Sequence, residues 1–240
     1  MEQHNNIIND VAKKILAPEG LFRKGSSRCW IDDNDWFFIV VEFQPSAFEK
    51  GSYLNVGIDF LWEKTAALND GLSFDYGGRV LANGNQFASY QSDHANSDKD
   101  FASKIEAFAA TALDEVTEYR KFRDLEYAKT ALKKKVVQTS EKHLFWEVYH
   151  LAMLCFFKRD YEEGKRYFDR YMDILKGSFY YGNLYMKWKE EFYNHCRTEI
   201  CPQITSTESA QRMVFDMINR RRKYFSSKSS FKKMNKDILF

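Results

Sequence analysis

The sequence predicts an α+β protein, an antiparallel β-meander sheet packed by helices and followed by an all-α helical domain. Three observations predict it. Between Phe22 and Tyr90, apolar residues recur at alternate positions in short runs separated by turn-rich pieces. The links between those runs are too short for helical crossovers, so successive strands pair antiparallel. Beyond Phe101 the apolar spacing lengthens to three and four residues and stays helical almost to the end.

Taken in order, residues 5–17 place Ile7, Ile8, Val11, Ile15 and Leu16 on one side of a first helix, which Pro18-Glu19-Gly20 ends. Strands are predicted over 22–31, 36–44, 53–62, 72–81 and 86–90, with turns at Asp32-Asp33-Asn34-Asp35 and Asn83-Gly84-Asn85. A long helix over 101–135 carries Ile105, Phe108, Ala109, Ala112, Val116 and Tyr119 as its apolar stripe. Helices follow over 144–157, 161–175 and 183–200, the last ended by Pro202. Thr207 is the expected N-cap of a final helix over 208–224. The expected organisation is an α+β domain over 1–136, a helical domain over 137–225 and a basic tail over 226–240.

One hairpin register stands out. If Phe43 pairs with Leu54, then Val41 meets Val56, Ile39 meets Ile58 and Phe37 meets Phe60, so one face is wholly apolar. The same register collects Glu42, Gln44, Asn55 and Asp59 on the opposite face.

Composition narrows the classes. With 44% hydrophobic and 17% aromatic residues, the 240-residue chain has ample material for a buried core and is not globally disordered. The net charge of +2 is unevenly placed: residues 220–240 hold eight basic residues against Asp237 alone, which leaves the rest at −5. The first residues lack the basic-then-apolar order of a signal peptide, and the best apolar run, 151–157, is far short of a membrane span. Cys29, Cys155, Cys196 and Cys201 show no disulfide spacing, which suits a reducing compartment. The expectation is a cytoplasmic protein with no membrane partner.

Two resemblances can be traced in the residues. Gly20-Leu21-Phe22-Arg23-Lys24-Gly25, Val41-Glu42-Phe43-Gln44 and Leu54-Asn55-Val56-Gly57-Ile58, with Gly78-Arg79-Val80 as a later strand, make residues 5–125 similar to a bacterial family catalogued only as a domain of unknown function. Gln86-Phe87 stands where that family often has a tryptophan pair. The family carries no established activity; some relatives sit among toxin–immunity and defence genes, which implies a context and not a mechanism. Separately, Leu151-Ala152, Phe156 to Tyr161, Gly164 and Phe168 make residues 144–176 resemble a single tetratricopeptide-like helical hairpin. Gly164 replaces the family's usual alanine, Tyr171 its second small residue, and no proline follows. With no second copy present, the expected arrangement is a helical bundle containing one such hairpin.

The candidate binding face comprises Glu42, Gln44, Asn55 and Asp59, to which the family motifs add Arg23 and Arg79. Its carboxylates and amides suit either an enzyme site or hydrogen-bonded ligand recognition, while an ordinary solvated or helix-covered sheet face accounts for the same pattern. A candidate basic patch, Arg220, Arg221, Arg222 and Lys223, interleaves with Tyr224 and Phe225 as nucleic-acid binding requires. A helix C-terminus favoured by positive charge explains it equally, and the acidic body makes nucleic acid the weaker expectation. His195, Cys196 and Cys201 match no zinc spacing, and His143 and His150 match no His-x-x-x-His pair. No Gly-x-Ser-x-Gly elbow or phosphate-binding glycine loop occurs. The sequence therefore nominates no catalytic residue, metal or cofactor. Its aromatic-rich helices favour a non-enzymatic protein-binding module with a protein partner.

Overall fold

In the computed structural model, which describes residues 3–64, 71–91, 96–139, 145–181 and 183–235, the chain is α+β. It opens with helix α1 (Gln3–Leu16), which buries Ile8, Val11, Ala12 and Leu16. The sheet follows in strands β1 (Phe22–Arg23), β2 (Cys29–Asp33), β3 (Phe37–Gln44), β4 (Gly51–Phe60), β5 (Tyr76–Val80) and β6 (Phe87–Ser89). The order is β1-β2-β3-β4-β5, a meander, with β6 also pairing β4. The described registers, β1–β2, β2–β3, β4–β5 and β4–β6, are antiparallel. Most strands are shorter than the apolar runs that foretell them, β4 keeps its expected ten residues two positions earlier, and the run 22–31 divides into β1 and β2 around a turn.

β3 is central, and Phe37 to Val41 are buried on both faces, which is why its sequence reads as a continuous apolar run and not as an alternation. Helix α2 (Ser97–Arg120) covers one face. Asp32 sits opposite Ile39, and Arg120 Nε reaches Asp32 Oδ2 at 2.9 Å. Tyr76 sits opposite Ile58 and meets Tyr119 edge-on at 6.0 Å. β5 lies close against β4 because Gly57 pairs with Gly77: a Cβ on Gly77 would fall 2.6 Å from the Val56 carbonyl.

The second face is covered in part by a segment read from sequence as a solvated tail. Phe231, on a short 3₁₀ turn (Ser229–Phe231), is fully buried and stacks on Phe38 at 6.2 Å. The Gly25 amide donates to the Ser230 carbonyl at 3.1 Å, and the Lys24 ammonium lies 5.5 Å over the Phe231 ring. Met234 is buried beside it in sequence. The basic residues around these apolar anchors, Lys228, Lys232 and Lys233, mask them in the composition of the segment.

Contacts divide the chain into two compact units. Of the described residues, the first holds 3–59, 71–121 and 226–235, and the second 60–64 and 122–225. The sequence places this boundary near 136, at the end of one long helix over 101–135. That helix is broken: α2 ends at Arg120, Lys121–Arg123 form a 3₁₀ turn, and α3 (Leu125–Gln138) restarts. Asp124 causes the restart, since its side chain accepts the Glu126 and Tyr127 amides at 2.8 and 3.2 Å.

In the second unit, α4 (Phe145–Phe157) is buried along almost its whole length. It forms an antiparallel hairpin with α5 (Tyr161–Gly177), the turn residue Arg159 taking the left-handed conformation at φ 69°. Gly164 is required there, because a Cβ would lie 2.6 Å from the Phe156 ring. Lys129 of α3 ties in α5 through Asp160 and Glu163 at 2.6 and 2.5 Å. The predicted helix over 183–200 begins later: β7 (Tyr180–Tyr181) and β8 (Leu184–Tyr185) form a small hairpin before α6 (Lys187–His195). A π turn at Cys196–Ile200 and a 3₁₀ turn at Cys201–Gln203 follow. The last helix, α7 (Thr207–Ser226), is capped by Ser206, whose hydroxyl accepts the Ser209 amide at 3.1 Å, one residue before the expected cap.

Candidate functional site

Four of the six sequence-nominated residues of the sheet form one network on the face away from α2. Asn55 and Arg79 are cross-strand partners of β4 and β5. The Asn55 amide donates from Nδ2 to Glu42 Oε2 at 3.0 Å and to Gln44 Oε1 at 2.9 Å. Its oxygen accepts Arg79 Nε at 2.8 Å, and Arg79 Nη2 donates to Gln44 Oε1 at 2.7 Å. The guanidinium lies 4.0 Å over the Tyr53 ring, which is backed by Phe87 at 4.7 Å. Asn55 is buried, Glu42 and Gln44 are half-buried, and Arg79 is exposed. Strand alternation puts all of these side chains on one face, which is why the sequence located Glu42, Gln44 and Asn55, while Arg79 came from the family motif.

The other two nominated residues stand apart. Asp59 is fully buried farther along β4, accepting the Ser73 hydroxyl at 2.9 Å. Arg23 sits opposite Trp30, which is opposite Val41, so it belongs to the α2 side of the sheet. Its guanidinium donates to the Ser26 and Ser27 carbonyls and closes the β1–β2 turn. An open groove of about 580 Å³ runs past Glu42 and is lined also by Arg23, Arg28, Cys29 and Asn5. Burial and then the Glu42 charge push the Cys29 thiol up to about 12, so it stays protonated at neutral pH and is a poor nucleophile.

The basic patch does not stay together. On α7, Arg221 is buried, donates to the Phe60 carbonyl at 3.0 Å and covers the Phe225 ring. Arg222 is buried as well, and of the four only Lys223 and Arg220 reach solvent substantially. Arg220 pairs with Glu63 at 2.6 Å, and the second Glu63 oxygen lies 3.2 Å from His195 Nε2. Burial alone would raise the Glu63 carboxyl; the His195 hydrogen bond and the Arg220 charge outweigh it and hold the group below its ordinary value.

His195 is therefore engaged with a carboxylate, and Cys196 beside it is buried with its thiol driven well above the usual range by that burial. His150 accepts the Trp62 indole N–H at 2.9 Å; His143 lies outside the described residues. Among the described residues no group of His, Cys, Asp or Glu is placed to hold a metal, and no helix is long and apolar enough to cross a membrane.

The second unit also exposes an apolar row. Tyr180 and Leu184 are 66% and 63% exposed, and Tyr185 and Trp188 are about two-fifths exposed. Tyr180 and Tyr185 pair across the β7–β8 hairpin at 5.3 Å, and Trp188 stacks on Trp146 at 6.3 Å. In the sequence these aromatics are not set apart from the rest of the aromatic-rich helical half. The available signal is local: a Gly-Asn step between Tyr180-Tyr181 and Leu184-Tyr185 is a sequence pattern that favours a hairpin. Glu63, Ser73 and Phe231 carried no comparable signal, because their partners lie 14 to 193 positions away along the chain.

No family model matches the chain, nor does any curated protein or solved structure.

Proposed function

We propose that the protein is a protein-binding module that docks a partner on the aromatic row of the β7–β8 hairpin and the first turn of α6. The observation that carries this reading is the solvent exposure of Tyr180, Leu184, Tyr185 and Trp188, four large apolar side chains on one hairpin and the helix turn that follows it. Tyr and Trp are the residue types that interfaces favour, because each offers large rigid area at small entropic cost. Lys189 lies 5.6 Å over the Trp188 ring and 5.3 Å over Phe145, and Glu190 accepts the Tyr185 hydroxyl, so charges of both signs flank the row. The resemblance of the first region to a family some of whose relatives sit among toxin–immunity and defence genes favours a bacterial defence context.

The test compares the wild-type chain with a Tyr180→Ser, Leu184→Ser, Trp188→Ser variant as bait in lysate of the native source. The expected result is one stoichiometric partner whose recovery falls at least tenfold with the variant. Equal recovery by both baits defeats the reading. Light scattering of the bait alone identifies the case in which the captured partner is a second copy.

A further inference from the structure

We propose that Arg79 is a receptor for the carboxylate of an acidic peptide segment, held ready by Asn55, Gln44 and Tyr53. The guanidinium is already immobilised: Nε and Nη2 are fixed to the Asn55 and Gln44 side-chain oxygens at 2.8 and 2.7 Å, and Tyr53 supports its face at 4.0 Å. Asn55 is fixed in turn, since its Nδ2 donates to Glu42 and Gln44, which turns its oxygen toward Arg79. An arginine so held loses little further freedom when it binds, which is the usual obstacle to using an exposed one.

Both oxygens that hold Arg79 belong to neutral amides, and among the described residues no carboxylate pairs with it. Glu42, which would be its natural counter-ion, is kept one residue away by the interposed Asn55. A guanidinium has five N–H donors, and two are used here. The remaining three include both on Nη1 and one on Nη2, the pair of prongs that matches the two oxygens of a carboxylate. Arg79 is exposed, so this end is accessible. Beside Arg79, Glu42 leaves the site with one opposing negative charge, and a singly charged carboxylate meets less repulsion from it than a phosphate dianion. The site goes beyond the aromatic-row reading and does not depend on it.

The experiment titrates the folded full-length protein with a blocked Gly-Glu-Gly peptide, with its Gln counterpart and with inorganic phosphate at matched ionic strength, following the Tyr53 ring and Asn55 amide signals by NMR. The Glu peptide is expected to shift both signals saturably and to bind at least tenfold more tightly than the Gln peptide or phosphate. Arg79→Lys, which keeps the charge and loses the fork, should weaken the Glu peptide about tenfold. Glu42→Gln, which removes the nearby negative charge, should tighten it severalfold. Equal binding of the Gln peptide, tighter binding of phosphate, or unchanged affinity in Arg79→Lys overturns the proposal, and so does weaker binding in Glu42→Gln. A Tyr180→Ser, Trp188→Ser variant should leave peptide binding unchanged, so this site and the aromatic row fail separately.

Discussion

The polar residues of β3 to β5 and the arginine run of α7 were both legible as clusters in the sequence, yet folding keeps the first together and takes the second apart. Glu42, Gln44, Asn55 and Arg79 converge into one hydrogen-bonded network on one face. Arg220, Arg221 and Arg222 disperse, one to Glu63, one to the Phe60 carbonyl and one into the interior. The difference is one of periodicity. Residues two apart on a strand share a face, so an alternating polar pattern keeps its members together. Consecutive residues on a helix point about 100° apart, so a run of like charges is spread around the axis and its members meet different neighbours.

The tail gives the largest test of that contrast. If the 226–235 segment is a cover for the sheet and not a solvated extension, Phe231→Ala removes a fully buried ring from Phe38 and should cost about 3–5 kcal/mol. Urea unfolding followed by tryptophan fluorescence reads this directly; a loss under about 0.5 kcal/mol would restore the solvated tail.

Arg221 and Lys223 divide the arginine run next. Arg221→Ala removes a buried, charge-assisted hydrogen bond to the Phe60 carbonyl and should cost about 1.5–3 kcal/mol. Lys223→Ala, on an exposed position two residues on, should stay within about 0.5 kcal/mol. Equal effects in thermal melts at matched pH would mean that the run acts as one patch after all.

The smallest effect is a pH dependence at Glu63. Its folded carboxyl lies below its ordinary value of 4.5, because His195 and Arg220 outweigh the burial cost. A depressed carboxyl contributes stability that is fully present above the unfolded value and is lost as pH falls through the folded one. Glu63→Gln should therefore be less stable than wild type at pH 6, with the gap closing as the pH is lowered below 4.5. A gap that is constant from pH 6 to pH 3 would show that Arg220 and His195 do not stabilise the carboxylate.

The meander and the two helical regimes were readable because they rest on local rules: period two against period 3.6, short links, and turn residues such as Asn83-Gly84-Asn85. Element ends were read less well. The helix expected over 101–135 is two helices because Asp124 offers its side chain to the next two amides, a competition that apolar periodicity does not register. The helix expected from 183 begins at Lys187, since the Tyr180–Tyr185 hairpin takes the residues before it.

By itself the sequence determined the fold class, the meander, the one-sided collection of Glu42, Gln44 and Asn55, and the helical hairpin closed by Gly164. Each of these follows from neighbours within a few residues or from a period along one element. Tertiary structure alone decided that Asp59 is buried and Arg79 exposed, that Arg23 faces the α2 side, and that Phe231 closes over Phe38. It also decided that the arginine run is consumed by Glu63 and the Phe60 carbonyl. For Asp59, Arg79, Phe231 and the arginine run the deciding partner lies 14 or more positions away along the chain, and burial, which fixes whether a charge is available or spent, is a property of the assembled surroundings and not of the residue.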